Sequence, residues 1–337
     1  MFKVTGRSNM AEQIEAIAEV DEVREVNEMR VRNPQVFRER RDPFELFSDH
    51  EFRNRYRLSK DSVRFVISLV EDRDLHSVSQ PSVFRIVAKV SNAIAALLPR
   101  FVVYPARMET LKTEFYNIDH FPGVVGCIDC THIAIKNPSW ERAMLYVNRK
   151  GYYSINVQVV CDAQRRILDI VAKWRGSVHD ARIWDSSTLK EEFEASRIKG
   201  ILLGDAGYPC KPYLLTPIQS PQTQPEQRYN RSHKSTRITV EHCFGEWKGM
   251  FKALRNVMQI PLPTAKTAII AMAVLFNIRK EHHDNDGYDP DSDEEEACES
   301  SSEGIEEQSS CIAGGAEALT YLPYLIICTL PFDEDIC

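Results

Sequence analysis

The sequence predicts an α/β protein built on a mixed sheet, because strand-like runs and helical periodicities alternate along its second half. Three extended apolar runs, at residues 124–135, 154–161 and 167–173, precede a helix predicted over 177–187. The polar residues 162–165 between the last two runs are typical of an antiparallel hairpin link. A short strand over 201–204, a polar loop over 220–235, and helices over 238–251 and 265–280 follow. This order indicates a mixed sheet covered by helices.

The N-terminal third is predicted to be helical. Residues 8–33 have the pattern of an exposed amphipathic helix, and Ser59 or Asp61 can cap a second helix that runs to about Glu71. A third helix is predicted over 80–98, with Pro81 at its first position and an apolar stripe along one side. Its basic outward residues fit either the recognition helix of a helix-turn-helix or a surface helix of a bundle.

The charge is distributed unevenly along the chain. The whole sequence carries a net charge of −7, but residues 282–337 contain 16 Asp and Glu and no Lys or Arg. The first 281 residues contain all 42 basic residues and the other 33 acidic ones, which gives them a net charge of +9. A basic body suits a polyanion such as nucleic acid, and the acidic, serine-rich tail is predicted to be mostly disordered. The tail either screens the body or competes for its binding groove, or it is a solvated segment without a role.

The cysteines and the apolar runs indicate an intracellular protein without a membrane partner. Nine cysteines show no disulfide framework, and no secretory signal precedes them, so we expect a reducing compartment. Cys127 and Cys130 form a CxxC, but a zinc site needs a second pair, so buried strand cysteines are the favoured interpretation. The late apolar run over 319–330 is interrupted by Pro323 and is too short to span a bilayer.

Three carboxylates each follow an apolar, strand-like run: Asp129, Asp205 and Glu241. An acid at the end of a buried strand is costly to ionise alone, so acids that converge there usually share a cation or a proton. Carboxylates together with substrate phosphate are typical ligands of Mg²⁺. The pattern therefore predicts a site for a divalent metal.

Six segments, taken in order, resemble the PIF/Harbinger superfamily of DDE transposases and the harbinger transposase-derived nucleases, which are DDE superfamily endonucleases. The segments are 126–133, 148–158, 176–184, 203–209, 229–233 and 240–248. Each is weak alone, but their order over about half of the chain makes the resemblance specific. The resemblance implies a ribonuclease H-like catalytic core over residues 121–281.

The resemblance also implies the catalytic residues. The family's acidic triad maps onto Asp129, Asp205 and Glu241, the last two separated by 36 positions, and it binds divalent metal, Mg²⁺ or Mn²⁺. Asp180 is implied as a fourth metal ligand, although an aspartate that opens a helix also fits an ordinary N-cap. His132 either orders the metal shell or packs in the core. The implied activity is DNA endonuclease chemistry by a two-metal mechanism, with strand transfer left open.

Basic residues near the acids indicate contacts to DNA phosphates. Four precede Glu241 and two precede the second strand: Arg228, Arg231, Lys234, Arg237, Arg149 and Lys150. Relatives of this kind depend on a separate Myb-like DNA-binding protein, so the resemblance implies such a partner and a nuclear location, with a cytoplasmic pool left open.

The predicted organisation has four parts: an amphipathic segment 1–45, a helical region 46–115, the endonuclease domain 121–281 and the acidic tail 282–337. The helical region is shorter than the family pattern and lacks the first helix of a helix-turn-helix, while Cys130 replaces a common glycine and Trp174-Arg175 a frequent proline. Two alternatives remain: a non-catalytic, domesticated DNA-binding or scaffold protein, and another ribonuclease H-like hydrolase such as an exonuclease. The intact acids argue against the first, and the 229–233 motif argues against the second.

Overall fold

A five-stranded mixed sheet with helices on both faces forms the body of the protein. The computed structural model describes residues 43–70, 83–138, 141 and 143–282. The strands are β1 (Val124–Ala134), β2 (Ser154–Cys161), β3 (Ile167–Arg175), β4 (Ile201–Leu203) and β5 (Leu214–Leu215), in the spatial order β3-β2-β1-β4-β5. The first three are antiparallel, and β4 and β5 run parallel to β1. This arrangement confirms the predicted α/β class and the ribonuclease H-like core.

Strand β1 is central and longer than its parallel neighbour. Asp129 pairs with Val159 of β2, whereas β4 ends at Leu203, which pairs with Cys127. Beyond Cys127, β1 therefore has no β4 residue beside it. Strand β2 is buried along its whole length, including its polar residues Ser154, Asn156 and Gln158. The hairpin predicted between β2 and β3 is confirmed by their antiparallel register.

Two long helices cover one face of the sheet. Helix α10 (Gln224–Met250) lies over β1 and buries a stripe of residues that includes Thr236, Val240, Cys243 and Trp247. Helix α11 (Leu262–Glu281) packs on β3 and buries most of its length. By length and composition α11 could cross a membrane, but 72% of its apolar window is buried inside the fold, so its apolarity is that of a core helix.

Short helices complete the fold. Those before the sheet are α1 (Pro43–Leu46), α2 (Asp49–Tyr56), α3 (Lys60–Val70), α4 (Val83–Ala95), α5 (Leu98–Phe101) and α6 (Met108–Asp119). Between the strands lie α7 (Ala143–Tyr146), α8 (Asp180–Asp185) and α9 (Thr188–Glu194), and a 3₁₀ turn, Lys252–Leu254, follows α10. Helix α4 packs against α11 with Val87, Val90 and Ile94 buried, which favours the bundle interpretation of this helix.

One predicted loop is wrong, and other predictions lie outside the described residues. Residues 224–235 are not a loop but the first half of α10, which begins with a capping box between Thr223 and Glu226 and has proline in its first turn. Helix α6 and strand β5 were not predicted. The amphipathic helix over 8–33, the link 72–79 and the acidic tail fall outside the described residues, so the four-part division stays a prediction.

Candidate metal centre

The sheet topology places Asp129 and Asp205 side by side. Asp129 lies two residues past the point where β4 stops, and Asp205 follows β4 after Gly204. Because β1 and β4 are parallel, their chains leave this point in the same direction. The backbone N–H of Cys130 donates to Asp129 Oδ1 at 2.8 Å, and that of Gly207 donates to Asp205 Oδ1 at 2.9 Å. Both carboxylates are therefore held by backbone donors.

Asp180 reaches the same place from the start of α8. Its Oδ1 accepts a hydrogen bond at 3.0 Å from the amide of Asn156, a buried residue of β2 that also donates to the carbonyl of Val178. Gly176 permits this approach, because a Cβ there would lie 2.3 Å from Ser154 Oγ. The N-cap of α8 is His179, not Asp180, so the alternative role of Asp180 as a helix cap is not observed.

The three aspartates form one cluster. One carboxylate oxygen from each of Asp129, Asp180 and Asp205 lies within 4.8 Å of the other two. Burial raises the pKa of Asp129 from 3.8 to about 6; the negative charges of Asp205 and Asp180 add to this rise, and the Cys130 N–H and Arg237 oppose it. The fold thus holds three like charges together at a half-buried position, an arrangement that a divalent cation would stabilise.

Glu241 is not part of this cluster. It lies in the middle of α10, and its half-exposed side chain pairs with Arg237, one turn earlier on the same helix. Arg237 also donates to Asp129 Oδ2 at 3.1 Å. The predicted triad is therefore only partly assembled, and a guanidinium bridges Asp129 to Glu241. Arg237, which was predicted to contact DNA, is directed at the acids.

The donor set fits a hard divalent cation. Three carboxylates supply oxygen ligands of the type preferred by Mg²⁺ and Mn²⁺, and they leave room for water and phosphate oxygens. Zinc held by the CxxC does not fit, because Cys127 and Cys130 bond to groups on opposite sides of β1: the Cys127 thiol donates to Thr236 O, and the Cys130 thiol contacts the Tyr208 hydroxyl. Asp129, Asp180 and Asp205 would hold the ion. Glu241 is linked to Asp129 through the side chain of Arg237, which bonds to both carboxylates.

The predicted DNA contacts occupy two surfaces. Arg228, Arg231 and Lys234 are exposed at three-residue spacing on the first half of α10. Arg149 and Lys150 lie on the exposed turn before β2, where Arg149 donates to the ring of His179, the neighbour of Asp180. Both surfaces therefore connect directly with elements that carry the acids.

Two residues near the cluster, His132 and Asn156, have roles that the sequence alone could not assign. His132 is half-buried on β1, where its Nδ1 bonds to Ser154 Oγ at 3.0 Å, and burial lowers its pKa. Among the described residues it forms no hydrogen bond with the aspartates, so its geometry is closer to the core role. Asn156 orients Asp180, a role missed from the sequence, where it appears as one polar position in a buried strand.

Comparison with known proteins identifies the domain that carries this cluster. Residues 128–277 match the model of the DDE superfamily endonuclease family. The chain is similar to "Putative nuclease HARBI1" from Homo sapiens, with 36% identity over 216 residues, and to the Rattus norvegicus protein of that name, with 37% identity; both alignments cover 62% of this chain and 62% of the relative. It is also 25% identical to "Protein ALP1-like" from Arabidopsis thaliana over 52% of this chain and 47% of that protein. No solved structure matches significantly.

The chain spans about 62% of the length of the HARBI1 relatives that it matches. All three aspartates of the cluster and Glu241 lie inside the matched residues 128–277. Residues 128–277 are thus similar to the DDE superfamily endonucleases, and the chain is similar to the Harbinger-type relatives named above, so the resemblance inferred from its six motifs is confirmed.

Proposed function

We propose that this protein is a divalent-metal-dependent DNA endonuclease that hydrolyses phosphodiester bonds at the aspartate cluster. The observation that carries the proposal is the convergence of Asp129, Asp180 and Asp205 within 4.8 Å in a domain of nuclease ancestry. Three hydrogen-bonded acids at one half-buried point have no neutralising partner in the described residues apart from Arg237. Mg²⁺ or Mn²⁺, in a one- or two-ion arrangement, suits this donor set.

When bound, the metal would supply positive charge to the phosphoryl oxygens and acidify an attacking water. The protein's own contribution is geometric. The Cys130 and Gly207 N–H groups and the Asn156 amide donate hydrogen bonds that orient the three carboxylates. Arg237 forms salt bridges with both Asp129 and Glu241, so it could release Glu241 and keep its bond to Asp129. Release of Glu241 from this bridge would complete the predicted triad.

The exposed basic residues would hold the DNA. Arg228, Arg231 and Lys234 form one stripe along α10, the helix that carries Glu241, so phosphates bound there would lie in line with the acids. Such contacts fix the position of the DNA without reading its sequence. We therefore infer that target choice depends on another component, for which a Myb-like DNA-binding partner is our proposal, and that the protein acts in the nucleus with a cytoplasmic pool.

The test is a plasmid-nicking assay with purified full chain. Supercoiled plasmid is incubated with Mg²⁺, Mn²⁺ or EDTA, and wild type is compared with Asp129→Ala and Glu241→Ala. We expect nicking by wild type with either metal, and loss of nicking with EDTA or with either substitution. Nicking that persists in both variants would refute the assigned site. Salt-sensitive DNA binding without any cleavage would support the scaffold alternative instead.

A further inference from the structure

A second surface lies beside the metal centre and has a different chemistry. A groove of about 690 Å³ runs between the end of β1, the turn before β2 and the segment after α10. We refer to it as the basic groove, and the residues that matter here are His132, Lys136, Tyr152, Tyr153, Lys248 and Arg255. It draws these residues from three separate parts of the chain.

The basic groove carries positive charge that the described residues do not neutralise. Lys136 and Arg255 are exposed, Lys248 is half-buried, and none of the three forms an ion pair among the described residues. Burial lowers the pKa of Lys248, and the charges of Arg255 and Lys150 lower it further. Arg255 and Lys150 therefore lie close enough to Lys248 to repel its charge. Like charges held together without counter-charges indicate a site for a polyanion.

Aromatic rings accompany the cations. Tyr152 is 39% exposed, and Tyr153 is half-buried beside it. The buried Asn148 positions this segment, because its side-chain oxygen accepts from the backbone N–H of Lys150 at 2.9 Å and its amide donates to Ser154 Oγ. An exposed aromatic ring next to cations that form no ion pair is a combination that binds single-stranded nucleic acid, where bases stack and phosphates pair with Lys and Arg.

The basic groove is linked to the metal centre through neighbouring strand residues. His132 lines it and pairs across the sheet with Asn156, the residue that donates to Asp180. The volume also limits what the groove can enclose: pockets of about 300–1,000 Å³ bury drug-sized molecules, so this one can enclose one or two nucleotides. A base could enter it only where the DNA strand is unpaired, because a paired base is held inside the duplex.

We propose that the basic groove binds unpaired nucleotides of the DNA strand next to the bond that is cut. Lys136, Lys248 and Arg255 would pair with phosphates, and Tyr152 would stack on a base. This inference rests on the proposed function for the identity of the polymer. It adds a preference for DNA that is locally unpaired. The basic groove would then bind single strands, whereas Arg228, Arg231 and Lys234 on α10 lie outside the groove and suit the backbone of a duplex.

The test measures binding in EDTA, so that it does not depend on cleavage. Fluorescence anisotropy of the full chain is recorded with a labelled single strand of about 12 nucleotides, within known single-strand site sizes, and with a duplex of equal length. The variants are Lys136→Gln/Arg255→Gln, Tyr152→Ala and Tyr152→Phe. The charge-matched control is Arg107→Gln/Lys199→Gln, two exposed residues outside the groove.

We expect the double variant to bind the single strand about tenfold more weakly, with a salt slope reduced by about 1.4 for two lost phosphate contacts. Tyr152→Ala should lose about fivefold or more on the single strand and little on the duplex, and Tyr152→Phe should restore binding. Thermal melting checks that each variant is folded; the exposure of all three substituted side chains makes unfolding a minor concern.

Three outcomes would overturn the inference: wild-type single-strand binding in the double variant, an equal loss in the control, or displacement of the oligonucleotide by an equimolar mononucleotide. These outcomes are distinct from failure of the proposed function. If the plasmid assay shows no cleavage while the groove variants still lose single-strand binding, the nuclease proposal fails and the groove proposal stands. If the plasmid is cleaved normally while the groove variants bind the single strand as wild type does, the groove proposal fails and the nuclease proposal stands.

Discussion

The aspartate cluster and Glu241 differ in how their carboxylates are held. Asp129, Asp180 and Asp205 each accept a hydrogen bond from a donor fixed by the sheet or by a tight turn. Glu241 stands on an outward position of α10, is half-exposed and bonds to an arginine on its own helix. The comparison shows a site with a preformed part, built by strand topology, and an adjustable part, carried by a helix. We expect the two parts to respond differently to substitution.

The largest effect is expected at Asp180, whose place in the preformed part was uncertain from sequence. Asp180→Asn should lower the nicking rate by about 10³-fold, since it removes one of three charges that would hold the metal. The measurement is the initial rate of plasmid nicking at saturating Mn²⁺. Asp185→Asn, on the same short helix but paired with Lys190, is the matched control and should leave the rate within about twofold. A rate for Asp180→Asn near wild type would place Asp180 outside the site.

A smaller effect is expected at the adjustable part. Glu241→Gln should lower the nicking rate by about 10²-fold but leave metal affinity within about threefold, because the aspartates already form the cluster without it. Rates and metal affinities are measured on the same preparations. Glu191→Gln, an exposed acid on α9, serves as control. An equal loss of affinity in Glu241→Gln and Asp205→Asn would remove the distinction between the two parts.

The pH dependence of metal binding should report the preformed part. Burial raises the pKa of Asp129 to about 6, and a carboxyl group must lose its proton before it binds a cation. Below pH 6 the proton competes with metal, so the apparent affinity should fall by about tenfold per pH unit, and it should level off above pH 7. Calorimetric titration in buffers of different ionisation enthalpy would also show proton release. A flat profile between pH 5 and pH 7 would contradict the pKa assignment.

The raised pKa of Asp129 also affects the stability of the metal-free protein. Because the folded state holds the Asp129 proton more tightly than the unfolded chain does, this group favours the fold most below about pH 4. Its contribution is lost as pH rises from about 4 to about 6. Added metal should reverse this loss, because it binds the charged carboxylates of the folded state.

The smallest effect is expected at Arg237, which links the two parts. Arg237→Gln should raise metal affinity by about fivefold at pH 8, where Asp129 is charged in either protein, because a competing positive charge is removed from the site. Isothermal titration with Mg²⁺ measures this change. Arg231→Gln, exposed on the same helix, should not alter the affinity. A weaker affinity in Arg237→Gln would show that the arginine supports the metal-bound geometry and does not oppose it.

Much of the fold could be predicted because strand periodicity is local. Strand β2 and the hairpin to β3 follow from an extended run in which apolar residues recur at every second position, and from the polar link after it. Residues 224–235 are helical although their polarity and proline favour a loop, because the capping box between Thr223 and Glu226 begins α10 and proline is tolerated in the first turn of a helix. Strand β5 has two residues and joins the sheet beside β4, and so short a strand has no periodic signal.

The site was predictable in its acids but not in its connections. Motif order indicated Asp129, Asp180 and Asp205, and the structure brings them together. Sequence could not show that Arg237 faces two acids instead of DNA, because its direction depends on how α10 lies over β1. The basic groove was equally hidden, since Lys136, Tyr152 and Arg255 are brought together only by the tertiary fold.

The central claim is that the three aspartates form a divalent-metal site that exists without Glu241. It is tested most directly by Mn²⁺ titration with the free ion followed by electron paramagnetic resonance, for wild type, Asp205→Asn and Glu241→Gln. The account predicts tight binding by wild type, near-wild-type binding by Glu241→Gln, and a loss of about 100-fold or more in Asp205→Asn. Absence of Mn²⁺ binding by wild type, or retention of it by Asp205→Asn, would contradict the account.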